Sequence, residues 1–161
     1  MTRSNRVLHF ESLNAIQDEA RSLLERGYER QGEWSLGQVC THLSAVMTAC
    51  IDGFPPPPGA VALPLWICRN TVARSRAGKA WLTRAVTGSI TTFPQMVPSD
   101  AIADDDGVSR LGQSIAAIES HVGSFAASPS LGPLDRGDVI ALHLEHASHH
   151  LGFLVPVETA T

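Results

Sequence analysis

Asp135-Arg-Gly-Asp-Val-Ile-Ala-Leu-His-Leu-Glu-His-Ala-Ser-His-His-Leu-Gly-Phe-Leu154 is the stretch on which the fold turns, because it carries four of the chain's seven histidines within eight positions. Its apolar spacing predicts an amphipathic helix. Asp135 is placed to cap the first amides, and Asp138 adds a negative charge where the helix dipole favours one. At about 100° per residue His143, His146 and His150 share one arc with Val139, Ala147 and Leu154, while His149 lies farther round. Imidazoles on the apolar side of a helix need partners, since an unpaired buried ring nitrogen costs free energy. Two readings account for them. Either neighbouring groups satisfy the rings, or His146 and His150, four apart on adjacent turns, converge on a metal ion at about 2.0–2.1 Å. The second reading needs a third ligand from elsewhere.

The best candidate is His42. Trp34-Ser35 opens a second strong helix, with Ser35 as N-cap and Gln38 at the capping-box position. Leu36, Val39, Leu43, Val46 and Met47 define its buried stripe, and His42 faces the same side. Gly53 and Pro55 to Pro58 end that helix and read as a stiff spacer. Upstream, Phe10 to Glu25 shows Leu13, Ile16, Ala20, Leu23 and Leu24 at helical spacing. Tyr28 to Glu33 reads as a polar linker. A third helical segment is expected over Val61 to Gly78, started by Pro64. Lys79 to Gly107 reads as a long irregular excursion, with a strand-like piece at Val86 to Phe93 and an acidic run at Asp104 to Asp106. Helical periodicity returns over Val108 to Ala126 through Leu111, Ile115, Ile118, Val122 and Phe125, with His121 near that face.

The 161 residues suit one domain with one core. A formal charge of −4 gives no footprint for nucleic acid or an anionic membrane. Five basic residues (Arg69, Arg74, Arg76, Lys79, Arg84) gather mid-chain as a solvated patch. Cys40, Cys50 and Cys68 lack thiolate-site spacing and suit a reducing cytoplasm. The N-terminus has no signal-peptide run, and no segment is long enough to span a membrane.

Together, Trp34-Ser-Leu-Gly-Gln-Val-Cys-Thr-His-Leu43 and His146-Ala-Ser-His-His-Leu-Gly152 resemble the DinB-like (YfiT-like) metalloenzyme superfamily, closest to a branch described only as a domain of unknown function. The resemblance implies an all-α four-helix bundle with His42, His146 and His150 holding a divalent ion, and a homodimer. It further implies a thiol-dependent transferase using a low-molecular-weight thiol, or a hydrolase, acting on a small-molecule substrate. Phe153 stands where many relatives carry glutamine, which bears on the polar surroundings of the site.

Three neutral imidazoles leave a fourth coordination position open, as in catalytic sites. Zinc is the first choice of ion, with nickel or iron as alternatives, because histidine ligation discriminates weakly. Ala147 stands where a zinc protease would carry its glutamate, which sets that chemistry aside. Glu145, His149 and His143 are auxiliary candidates, the last also as a fourth ligand. A Cys40–His42 nucleophile pair is disfavoured, since residues two apart on a helix do not face one another. A bundle that binds metal or a ligand without catalysis is the competing function.

Overall fold

A computed structural model describes residues 6–57, 59–89, 94–99 and 102–157. Among them the chain is mostly helical, with six α-helices and one small ribbon. The helices are α1 (Leu13–Arg26), α2 (Leu36–Asp52), α3 (Gly59–Asn70), α4 (Arg76–Ser89), α5 (Asp104–Ser120) and α6 (Arg136–Leu151). Short 3-10 turns occupy Val72–Arg74 and Pro94–Met96. Strands β1 (Tyr28–Arg30) and β2 (Leu154–Pro156) pair antiparallel, with Glu29 opposite Val155.

One apolar core joins α1, α2, α5 and α6. Ile16 and Leu23 on α1, Leu43 and Met47 on α2, Leu111 and Ile118 on α5, and Leu151 on α6 are fully buried there. Each such side chain contributes about 1.5–3 kcal/mol through removal from water. The helices α2 and α5 meet at a pair of glycines. A Cβ on Gly107 would stand 2.5 Å from the Gly37 Cα and carbonyl oxygen, so backbone meets backbone there.

The start of α2 is fixed from three directions. The Ser35 hydroxyl accepts from the Gln38 amide (3.3 Å), and the Gln38 side chain accepts from the Ser35 amide (2.9 Å), completing the capping box. The Leu36 amide donates to the Tyr28 hydroxyl (2.9 Å), which itself donates to Asp104 (2.8 Å). Asp104 also accepts from the Gly37 amide (2.7 Å). Three amides that a helix start leaves unpaired are thereby satisfied. Burial is the chief cause that raises the Tyr28 pKa. At α6 the same logic recurs: Asp135 accepts from the Asp138 amide (2.8 Å), and Asp138 accepts from the Asp135 amide (3.2 Å).

Several expectations are corrected. The long irregular excursion is not irregular over 79–89, which belongs to α4, and the acidic run Asp104 to Asp106 forms the first turn of α5. Residues 86–89 of the expected strand-like piece end α4, and 90–93 lie outside the described residues. Pro64 sits inside α3 instead of starting it, where its missing amide forgoes a bond to exposed Ala60. The linker after α1 contains β1, and Leu154 belongs to β2 instead of α6. The helix α5 stops at Ser120, so His121 and Val122 lie past its end and Val122 is 94% exposed. Phe125 turns back into the core, held by the Ala126 amide donating to the Cys50 carbonyl (2.8 Å).

The helix α3 behaves unlike the others. Leu65 is its one buried residue, while Leu63, Trp66 and Ile67 are exposed on one face. Lys79 bridges α4 to α6 by an ion pair with Asp138 (2.6 Å) and a bond to the Pro133 carbonyl (2.7 Å).

Candidate metal centre

His42 sits in the second turn of α2, and His146 and His150 occupy the last two turns of α6. The packing of α2 on α6 closes the gap between them. One ligand-capable nitrogen from each ring lies within 4.8 Å of the others, a group that can hold a metal ion. The ring centroids stand 4.7–4.8 Å apart in all three pairs. His42 and His146 are buried and His150 half-buried.

The hydrogen bonds set the tautomers. His42 Nδ1 lies 3.0 Å from the Met96 carbonyl oxygen, which only accepts, so this nitrogen carries the proton. Its Nε2 is then a free lone pair, facing His146 Nε2 at 3.0 Å. Without an ion, His146 Nε2 must be the donor in that contact. Its Nδ1 is buried and has no partner among the described residues. With an ion, both Nε2 lone pairs can point at one centre, while the Met96 carbonyl steadies His42 from behind.

Electrostatics keep the rings neutral. Burial lowers the His42 pKa, against a smaller upward pull from the Met96 carbonyl. Burial, then the proximity of His150 and His42, holds His146 well below the ordinary imidazole value. His150 is lowered to about 3, by burial first and then by His42 and His149. Neutral imidazoles are the form that binds metal, so the donor set fits a metal ion.

Two aromatic residues frame this corner. Trp34, just before the α2 cap, stacks on His150 at 5.5 Å with planes 12° apart and lies 5.0 Å from His42. Phe153 follows α6 and meets His149 edge-on at 5.3 Å. His149 in turn packs edge-on against His150 at 5.0 Å.

A model of the family described as "Protein of unknown function (DUF1569)" matches residues 2–157. The chain belongs to that family. Searches of curated proteins and of solved structures returned no match.

The remaining candidates of this DUF1569 member fall elsewhere. His143, one turn before His146, is 1% exposed, and neither ring nitrogen has a partner among the described residues. It is not one of the three converging residues. Glu145 points outward to Arg84 at 3.4 Å. Cys40 and Cys50 are buried thiols, both pushed up to about 12 by burial, which removes Cys40 as a nucleophile beside His42. Met96 and Trp34 were not foreseen as parts of the corner. A main-chain carbonyl leaves no residue-type signal, whereas a tryptophan directly before a capping box is a visible staple position.

Proposed function

We propose that this chain is a DinB-like four-helix bundle, a single domain over residues 1–161, in which His42, His146 and His150 hold a divalent ion at the centre of a metal-dependent enzyme. One observation carries the reading: three neutral imidazoles from two helices converge, with the His42 tautomer fixed by Met96 so that its lone pair faces His146. Zinc suits such a nitrogen-only set, and nickel or iron would also bind it. Bound there, a divalent ion supplies Lewis acidity that makes a thiol or a water more acidic.

The chain's own residues do the rest. Met96 orients His42, and Trp34 covers one side of the triad, limiting water there. The buried thiols are too basic to compete as nucleophiles, so a thiol cosubstrate would come from solution. A thiol-dependent S-transferase is the activity we favour, and metal-dependent hydrolysis is the second. The test incubates zinc-loaded protein with 2-mercaptoethanol and an epoxide, following thioether by mass spectrometry. Thioether formation that His150→Ala abolishes is the expected result. Ester hydrolysis without thioether would favour the hydrolase, and stoichiometric zinc with neither product would favour a non-catalytic bundle.

A homodimer is proposed through α3, whose Leu63, Trp66 and Ile67 form an exposed apolar face. Light scattering of the wild type against Trp66→Ser tests it. Among the described residues no helix is long and apolar enough to cross a membrane. A cytoplasmic location is proposed from the three free cysteines.

A further inference from the structure

A pocket of about 300 Å³ opens beside the triad. The rings of Trp34, His149, His150 and Phe153 line it together with Val39, and Gly32 and exposed Glu33 form its edge. Its volume lies at the lower end of small-ligand sites, room for one ring and a short substituent.

The walls are already in place. Trp34 is stacked nearly parallel on His150 (12°), a contact it would lose by swinging into the cavity. Phe153 is held at its backbone, where its carbonyl accepts from the Gln31 amide at 2.8 Å. Gly32 lets that ring lie against the chain: a Cβ there would sit 3.3 Å from the Phe153 Cβ and 3.5 Å from its Cγ. A preformed slot loses little in reorganisation when it is filled. Among the described residues its lining holds no lysine or arginine, and Glu33 is the one carboxylate.

We infer that this slot selects a small molecule with a flat apolar ring and no negative charge, seated against Trp34 and Phe153 with its polar reacting atom toward His150. This deepens the metal-site reading and rests on it for the role of His150 alone. Aromatic walls favour a ring by stacking and edge contacts. In the metal-free protein a carboxylate-bearing ligand would find no lysine or arginine among the described lining residues and would face Glu33, so it is disfavoured.

The test titrates full-length protein, metal-free so that no ion charge enters, with benzyl alcohol and benzoate. Amide shifts in two-dimensional NMR report the place and the affinity. Benzyl alcohol should move residues 32–34 and 149–153, and benzoate should bind on the order of tenfold more weakly. Phe153→Gln should weaken benzyl alcohol about fivefold or more, with dispersed spectra and unchanged zinc uptake. Gly32→Ala, which presses on the same ring, should act in the same direction. Benzoate binding as tightly as benzyl alcohol would overturn the inference. So would shifts confined to other surfaces, an absence of binding, or indifference to both substitutions. Zinc uptake is measured on the same samples. Loss of zinc uptake with retained ring binding would count against the metal centre alone, and the reverse pattern against the slot alone.

Discussion

Replacing His143 with leucine should remove an internal liability of the protein and expose its size. Both ring nitrogens of His143 are buried without partners among the described residues, and the side chain is 1% exposed. An unsatisfied buried polar group costs about 1–3 kcal/mol, so His143→Leu should equal or exceed the wild type in stability near neutral pH. Acid widens the difference. Burial lowers the His143 pKa to about 4, below the 6.5 of a free imidazole. Between those values the unfolded chain binds the proton and the native chain does not, so wild-type stability falls as pH drops through that window. The acid penalty is absent above the unfolded value and complete below the folded one. At about 1.4 kcal/mol per pH unit, the leucine variant should gain about 2 kcal/mol on the wild type between neutrality and about pH 5. The full window corresponds to about 3 kcal/mol. Urea unfolding followed by circular dichroism at both pH values, with the two proteins side by side, isolates His143 from the other histidines. A variant less stable than wild type at neutral pH, with the same pH slope, would show that His143 has a stabilising partner and would refute the reasoning.

Gly107→Ala should destabilise the fold by about 1–3 kcal/mol or more in thermal or urea unfolding, because its methyl would meet the Gly37 backbone, which cannot rotate away. Gly112→Ala is the control: a Cβ there would meet only the end of the Gln17 side chain, at 3.2 Å, so its cost in the same assay should be smaller. Lys79→Met should cost about 1 kcal/mol in urea unfolding, since the ion pair to Asp138 is only partly screened and the Pro133 carbonyl loses a donor.

The two helices that carry the histidines were legible because their ends are written in the sequence. Ser35 with Gln38 and Asp135 with Asp138 both form capping boxes, and each sits just before an apolar stripe of helical period. His42 could be assigned a side from that stripe, and its convergence with His146 and His150 follows once α2 packs on α6. The helix α4 was not legible for the opposite reason. Among its described side chains Leu82 and Thr83 are buried, too few for a stripe, and Gly78 and Gly88 interrupt the pattern. The Asp104 to Asp106 run reads as a solvated loop until its partners are known. Those partners, Tyr28 and the Gly37 amide, are 67 or more residues away in the chain. The ribbon had no chance of being seen, since two three-residue strands from opposite ends of the protein carry no periodicity. His143 shared the helical arc of the other two, yet periodicity alone does not separate a ring that joins the cluster from one that is sealed in the core.

The most direct test of the central claim is the zinc stoichiometry of purified protein, measured by elemental analysis for the wild type and for His42→Ala, His146→Ala and His150→Ala. One ion per chain in the wild type, and loss of it in each variant with the helical spectrum intact, is the predicted result. Full retention of the ion by any one of these variants, or no uptake by the wild type, would contradict the account.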